Sequence, residues 1–223
     1  HGWESVGLMP TSPKSGGTGR GRRVALLGAA AGMLAATTLV TAVAPDPGGI
    51  ELDAFATLND LPPVIGTPLE VVMSLGTSVG AVALAILAVV VGRARVGATV
   101  LVAWVAARGS STLLKAAIDR PRPPAAIDGV VLHQALPDDA GFPSAHAAIA
   151  AALAVVAART WPRLTVAWVA CAAAVGVARL HVGVHLPLDL LGGWSLGMLC
   201  GAAAVAVVAR FRTDARAGSE RGA

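Results

Sequence analysis

Three short segments of this 223-residue chain carry polar side chains between long apolar stretches. The first runs from Lys115 to Arg122, the second is Pro-Ser-Ala-His at 143–146, and the third runs from Arg179 to Asp189. Among their polar side chains are three cations, two imidazoles, a hydroxyl and a carboxylate that could act together, which belong to Lys115, Arg122, Arg179, His146, His185, Ser144 and Asp189. Lysine and the forked guanidinium of arginine match the oxygens of a tetrahedral oxyanion, so these cations are suited to a phosphate.

The second and third segments each resemble the beginning of a helix. The Pro-Ser pair at 143–144 is typical of a first helical turn, whose free backbone N–H groups and dipole attract an anion. Pro187 is also tolerated in a first turn, which places His185 near the cap and Asp189 four residues later on the same side. The carboxylate can then hold the ring through its Nδ1–H and leave Nε2 free as a nucleophile. His146 supplies a second group that titrates near neutral pH.

The composition indicates that a membrane protein must position these segments. Hydrophobic residues make up 55% of the chain and charged residues 13%, and the mean hydropathy is +0.70. Such a chain has too little polar surface to cover itself in water. The two cysteines, Cys171 and Cys200, lie in apolar runs and cannot build a disulfide framework or a thiolate metal cluster. The net charge is +4, but the basic residues are distributed over short loops and do not form one patch, which argues against nucleic acid as a partner.

Six apolar windows have about the length that a helix needs to cross a bilayer. They are residues 24–44, 69–91, 96–118, 144–160, 164–180 and 187–209. The sequence therefore predicts an all-α, polytopic fold with a bundle of six transmembrane helices. It also predicts a flexible basic N-terminus at 1–23, a membrane domain at 24–209 and a basic tail at 210–223. An uncleaved first span is favoured over a signal peptide because its apolar run exceeds the usual signal core.

The charges of the loops predict the orientation. Twelve basic residues fall on one side of the six windows: Lys14, Arg20, Arg22, Arg23, Arg93, Arg95, Arg159, Arg163, Arg210, Arg212, Arg216 and Arg221. The opposite loops contain Asp46, Glu51, Asp53, Asp60, Asp128, Asp138 and Asp139. The positive-inside rule then places both termini in the cytoplasm and the three segments at the outer face of the plasma membrane. Five cations do not follow the rule and are functional candidates: Arg108, Lys115, Arg120, Arg122 and Arg179.

Each residue has a simpler explanation when it is taken alone. An outer arginine such as Arg120 or Arg122 commonly anchors to lipid headgroups. Ser144 can be a plain helix cap, and Asp189 can be one half of a structural pair. These explanations do not account for seven polar groups that converge from three separate segments at one membrane depth.

The three segments resemble the signatures of the type 2 phosphatidic acid phosphatase superfamily. Lys115 is followed after six residues by Arg122 and a proline, as in the first signature. The sequence at 143–146 is similar to the second, Pro-Ser-Gly-His, with Ala145 in place of the usual glycine. The third signature is an arginine, five residues, a histidine, three residues and an aspartate, and the segment from Arg179 to Asp189 matches its spacing.

The resemblance implies a chemical role for each residue. His185 is expected to attack phosphorus and form a phosphohistidine, with Asp189 orienting it. His146 is expected to protonate the departing oxygen and then to activate water. Phosphate is expected to bind to the side chains of Lys115, Arg122, Ser144 and Arg179 and at Ala145. The resemblance implies neither a metal nor another cofactor.

The leading hypothesis is a phosphatase for a phosphate or diphosphate monoester of a membrane lipid. Polyprenyl diphosphate or phosphate, phosphatidic acid and phosphatidylglycerol phosphate are the candidate substrates. An oxidoreductase similar to vanadate-dependent haloperoxidases and a non-hydrolytic phospholipid carrier are the alternatives. Arg108 and Arg120 are candidate pocket residues, and for Arg108 a structural lock to a buried acceptor is also open. Gly193, Gly197 and Gly201 permit close helix packing within the bundle, with a homodimer as the less favoured use.

Overall fold

The computed structural model describes residues 16–62, 64 and 66–221, and over these residues the regular structure is helical, with no strand. The α-helices are α1 (Gly16–Val43), α2 (Gly49–Asn59), α3 (Gly66–Met73), α4 (Ser78–Val90), α5 (Ala94–Ile118), α6 (Pro123–Ala126), α7 (Ala145–Thr160), α8 (Thr165–His181) and α9 (Pro187–Arg221). Short 3₁₀ turns at Ser74–Gly76 and Pro162–Leu164 precede α4 and α8. The prediction of an all-α fold is confirmed.

Four helical segments of the described chain are long and apolar enough to cross a membrane. They are Gly21–Val43, Ala94–Ala126, Pro162–His181 and Pro187–Phe211. A fifth is obtained when Pro68–Gly76 and Ser78–Val90, which meet at a bend of 72°, are counted as one span. Helix α7 is apolar but only 16 residues long. The described chain therefore has four or five candidate membrane spans, and the count of six stays a prediction.

The expected span at 69–91 is broken in the middle. Thr77 ends the 3₁₀ turn and caps α4, because its Oγ1 accepts a hydrogen bond from the Gly80 N–H at 2.9 Å. The same hydroxyl donates to the Ser74 carbonyl at 2.7 Å. Hydropathy does not reveal such a break, since the residues on both sides are apolar. The bend lets the turn at 74–76 pack against α7.

Helix α7 lies at the centre of the bundle, against α5, α8 and α9. Its alanine-rich sequence is buried along most of its length, so it presents little surface to lipid. The glycine stripe of α9 permits this approach: a Cβ at Gly193, Gly197 or Gly201 would collide with a carbonyl oxygen of 144, 148 or 152. The glycines therefore pack within one chain, and nothing in this packing calls for a homodimer.

The ends of the chain fall partly outside the described residues. Helix α1 already begins at Gly16, inside the segment expected to be flexible, and α9 continues through the expected tail as far as Arg221. Residues 1–15, which include Lys14, lie outside the description, as do 63, 65, 222 and 223. The predicted flexibility of residues 1–15 and the cytoplasmic side of both ends stay predictions.

Candidate active site

The three polar segments meet at one end of the bundle. The last turn of α5 and the connection after it provide Lys115 and Arg122, and the last turn of α8 provides Arg179. The N-cap and first turn of α7 provide Ser144 and His146, and the turn into α9 provides His185 and Asp189. Every one of these side chains is buried except His146, which is half-buried.

His185 and Asp189 form the expected pair across the first turn of α9. The Nδ1 of His185 lies 3.3 Å from Oδ2 of Asp189, and the same oxygen accepts the Leu186 N–H at 2.9 Å. Gly183, with φ of +79°, makes the tight turn that ends α8 just before His185. The Ser144 N–H donates to the Asp189 carbonyl at 2.9 Å, which joins the second segment to the third.

The other ring nitrogen of His185 faces the cations. Its Nε2 lies 3.4 Å from Nη1 of Arg122. Burial lowers the pKa of His185 well below its ordinary value, and the nearby charges of Arg179 and Arg122 lower it further. A neutral ring with Nδ1 turned towards Asp189 keeps a lone pair on Nε2 for nucleophilic attack.

Arg120 lies behind the carboxylate of Asp189, on the oxygen that His185 does not use. Its Nη1 donates to Asp189 Oδ1 at 2.9 Å and to Glu51 Oε1 at 3.1 Å, and its Nη2 donates to Glu51 Oε2 at 2.7 Å. Its Nε donates to the Pro45 carbonyl at 2.9 Å, and the side chain is fully buried. The expectation that Arg120 lines the pocket is therefore wrong: each of its three nitrogens donates to a protein acceptor, and the side chain supports Asp189.

Lys115 and Arg122 hold the loop before α7. The Nζ of Lys115 donates to the Ala140 carbonyl and lies 3.4 Å from Oδ2 of Asp139. Arg122 donates from Nε to the Asp139 carbonyl at 2.7 Å, from Nη2 to Oδ1 of Asp139 at 2.5 Å and from Nη1 to the Val184 carbonyl at 2.6 Å. The carboxylate of Asp139 thus bridges two of the cations expected to bind phosphate.

The charge state of Asp139 follows from these contacts. Partial burial raises the pKa of this carboxyl, but the hydrogen bond from Arg122 and the charges of Lys115 and Arg122 outweigh burial and hold the pKa below its usual range. Asp139 is therefore an anion at neutral pH.

Arg179 reaches the site with part of its hydrogen-bonding capacity unused. Its Nη1 lies 3.2 Å from Gln134 Oε1 and 3.3 Å from Met73 Sδ. Its Nε is buried and has no hydrogen-bond partner among the residues the structure describes. A buried guanidinium N–H without a partner is rare in proteins, and it is the kind of donor that an anionic ligand satisfies.

The first turn of α7 supplies the remaining predicted groups. The Ser144 hydroxyl caps the helix by accepting the Ala147 N–H at 3.5 Å. Ala145 is buried, so its methyl group is accommodated where the family resemblance leads one to expect glycine. His146 makes no hydrogen bond to any side chain or carbonyl within the described ranges, so its ring is available to a ligand.

Arg108 lies on α5, near enough to His146 for its charge to act on that ring. It precedes Lys115 by seven residues on α5, which corresponds to about 10 Å along the helix axis. Its side chain is exposed and forms no ion pair with a carboxylate in the described part of the chain. The structural-lock alternative is therefore wrong, and a contact to substrate stays a prediction.

Several supporting residues were not predicted from the sequence. The charge pattern predicts an outer loop at α2, yet this helix contributes Glu51 to Arg120 and buries Asn59. The Asn59 amide donates to the carbonyls of Val131 and His181 at 2.8 and 2.9 Å, which ties α2 to the loop and to α8. The four-residue spacing of positions 51, 55 and 59 could have indicated a buried helical face. The pattern covers only two turns, however, and mixes polar with apolar residues.

Comparison with known proteins supports the assignment of the fold. A model of the PAP2 superfamily matches residues 96–213, which include all three polar segments. An undecaprenyl-diphosphatase of Sulfolobus acidocaldarius is 32% identical over 104 residues, 46% of this chain and 50% of that protein. A lipid A 1-phosphatase of Rhizobium etli is 36% identical over 91 residues, 39% of each chain. The matched region thus spans half or less of these relatives.

Two solved structures share the fold. The crystal structure of Aquifex aeolicus LpxE superposes with a TM-score of 0.65 at 23% identity, covering 72% of this chain and 97% of that one. A transmembrane PAP2-type phosphatidylglycerolphosphate phosphatase from Bacillus subtilis gives a TM-score of 0.61 at 24% identity, covering 79% and 94%. With the family match extending over more than half of its length, this chain belongs to the PAP2 superfamily.

Proposed function

We propose that this protein is an integral membrane phosphatase that hydrolyses a phosphate or diphosphate monoester of a membrane lipid. One observation carries the proposal: the buried His185 is held by Asp189 on one nitrogen and presents the other, 3.4 Å from Arg122, to a cluster of cations. A nucleophile, the group that orients it and the donors for an oxyanion are thus present in one place.

The reaction proceeds in two displacements. In the first, Nε2 of His185 attacks phosphorus, the bond from phosphorus to the leaving oxygen breaks, and His146 gives that oxygen a proton. In the second, His146 takes a proton from water, the water oxygen attacks phosphorus, and the N–P bond breaks to release inorganic phosphate. The two steps return both histidines to their starting states.

The cations lower the barrier to both displacements. Lys115, Arg122 and Arg179 supply positive charge where the transferring phosphoryl group spreads its own charge over its equatorial oxygens. The Ser144 hydroxyl and the first turn of α7 add donors on the His146 side. These residues are preorganised by the loop and helix ends that hold them, so little rearrangement accompanies the reaction.

The substrate proposal is a lipid whose phosphate sits at headgroup depth. Polyprenyl diphosphate is favoured over polyprenyl phosphate, phosphatidic acid and phosphatidylglycerol phosphate, because an outward-facing site suits the recycling of a lipid carrier. The names of the relatives, an undecaprenyl-diphosphatase and a lipid A 1-phosphatase, are compatible with this class. Exposed Arg108 is a candidate contact for a second anionic group of the lipid.

The proposed orientation has six passes through the plasma membrane, with cytoplasmic termini and the site outside. Labelling of an engineered cysteine tests it. Asp138→Cys lies in the exposed loop beside the site and should react with a membrane-impermeant maleimide in intact cells. A background variant without Cys171 and Cys200 serves as the control. Labelling only after the membrane is opened would reverse the orientation.

The activity is tested with purified protein in detergent and a panel of the four lipid classes. Release of inorganic phosphate is expected from at least one of them, unaffected by chelators and blocked by vanadate, which mimics the trigonal transition state. His185→Ala should release none, whereas His133→Ala, a change outside the catalytic cluster, should retain activity. Binding of lipid without release by the wild type would indicate a carrier instead.

A further inference from the structure

The phosphate-binding cations are already engaged by an anion of the protein itself. Oδ1 of Asp139 lies 2.5 Å from Nη2 of Arg122, and Oδ2 lies 3.4 Å from Nζ of Lys115. The same guanidinium group lies 3.4 Å from Nε2 of His185. The carboxylate therefore uses donors that border the nucleophile, where a phosphoryl oxygen has to bind during the proposed reaction.

We infer that Asp139 is a resident competitor of the phosphate site: its carboxylate occupies Lys115 and Arg122 in the free enzyme and is displaced by an entering phosphoryl group. This role rests on the proposed phosphatase function. It makes Asp139 a determinant of affinity for the phosphoryl group, because every oxyanion that binds must first displace the carboxylate.

The local structure allows the carboxylate to leave without disturbing the site. Backbone carbonyls of Asp139, Ala140 and Val184 hold Lys115 and Arg122 independently of the Asp139 side chain. The Asp139 side chain is 46% exposed, so rotation about its own side-chain bonds can carry the carboxylate into solvent. The cations would then keep their positions while two of their donors become free.

Charge balance explains why a competitor is useful. Lys115, Arg122 and Arg179 are all buried in one cluster, and buried like charges repel strongly when no anion is present. Asp139 neutralises part of this charge in the absence of substrate. Without Asp139, more of this repulsion would be relieved only when an oxyanion binds, which would strengthen the binding of free phosphate.

The competition acts on free phosphate and on a lipid substrate alike. Displacement weakens the binding of both by the same factor. A lipid offsets the loss through its apolar chain, whereas inorganic phosphate has only the cations to contact. We therefore expect Asp139 to raise the concentration of free phosphate needed to occupy the site, while the lipid still binds through its chain.

The test compares Asp139→Asn with Asp138→Asn. Both variants lose one negative charge, but Asp138 is exposed and makes no ion pair with a cation in the described ranges. Titration calorimetry of inorganic phosphate into the purified full chain in detergent measures binding without requiring turnover. Asp139→Asn should bind phosphate about fivefold more tightly than wild type, as loss of one partly exposed ion pair implies, and Asp138→Asn within about twofold of it.

Equal or weaker phosphate binding by Asp139→Asn would overturn the inference, since it would mean that the carboxylate positions the cations and does not compete for them. Asp139→Ser is a second variant in case the asparagine variant does not fold, and the same two outcomes apply to it. Lipid phosphate release by the wild type is measured separately. Its absence would defeat the proposed function, while tighter phosphate binding by Asp139→Asn would still establish the competition.

Discussion

The two sides of the His185–Asp189 pair are built in contrasting ways. On the Asp189 side, Arg120 is fully buried and donates to two carboxylates and a carbonyl, and Glu51 also accepts the Leu188 N–H at 2.9 Å. On the His185 side, the cations contact a half-exposed carboxylate, and the Nε of Arg179 has no partner among the described residues.

The contrast separates support from binding. A buried polar network whose members are all paired is rigid, and removal of any one member leaves an uncompensated charge. On the other side, the half-exposed carboxylate of Asp139 can leave its cations, and the Nε of Arg179 has no partner among the described residues. A ligand can therefore bind to these cations at little cost. We therefore expect changes on the Asp189 side to act on stability and changes on the His185 side to act on turnover.

The largest effect is expected from the nucleophile. His185→Ala should reduce lipid phosphate hydrolysis by at least about 10⁴-fold, because no covalent intermediate can form. An activated aryl phosphate has a leaving group that departs without protonation, so with a ³²P-labelled substrate of this kind His146→Ala should still form phosphohistidine. The second step needs His146 to activate water, so the reaction should stall there and acid-labile, base-stable label should accumulate on the protein. Label on the His185→Ala protein would assign the nucleophile to another residue.

The support side should show its effect in stability. Arg120→Met leaves Glu51 and Asp189 as buried carboxylates that have lost their arginine partner, and breaking a buried ion pair from one partner costs about 3–5 kcal/mol. The melting temperature in detergent, followed by tryptophan fluorescence, should fall clearly. Arg95→Met, an exposed arginine near the start of α5, is the matched control. An unchanged melting temperature for Arg120→Met would remove the distinction between the two sides.

The binding side should show the reverse pattern. Lys115→Ala and Arg179→Ala should each lower kcat by at least about 100-fold, equivalent to about 2.7 kcal/mol of transition-state stabilisation. Their melting temperatures should fall by less than that of Arg120→Met, because removing either cation also relieves repulsion among the buried like charges. Turnover at the wild-type rate in either variant would mean that the phosphate binds elsewhere.

Spacing, loop charge and the family signatures together group the residues of the binding side from the sequence. His185 and Asp189 share a helical face because they are four residues apart, and Lys115, Ser144 and Arg179 lie at helix ends that charge and hydropathy reveal. The pair of Arg120 with Glu51 joins positions 69 residues apart in sequence, and no local pattern encodes such a contact.

The remaining differences have the same physical origin. The break between α3 and α4 depends on one capping hydroxyl at Thr77, which leaves the hydropathy of the region unchanged. In the sequence, Asp139 is indistinguishable from any other charged residue of an outer loop. Only the fold brings it into contact with Arg122. Composition and periodicity therefore cannot predict either feature, because both depend on specific contacts made in the folded chain.

The smallest effect is expected for the dependence of folding stability on pH. The buried ring of His185 stays neutral because its pKa is lowered by burial and by the neighbouring cations, whereas the same ring in the unfolded chain takes up a proton near pH 6.5. The unfolded state thus binds one more proton below that pH, and stability falls there by about 1.4 kcal/mol per pH unit for this group. Above about pH 6.5 both states are neutral and the contribution is constant. His185→Gln, which cannot titrate, should show a shallower decline of melting temperature between pH 6.5 and 5 than the wild type. Parallel declines would mean that the folded ring is protonated as readily as the unfolded one, and that His185 does not carry the free Nε2 lone pair on which the first displacement depends.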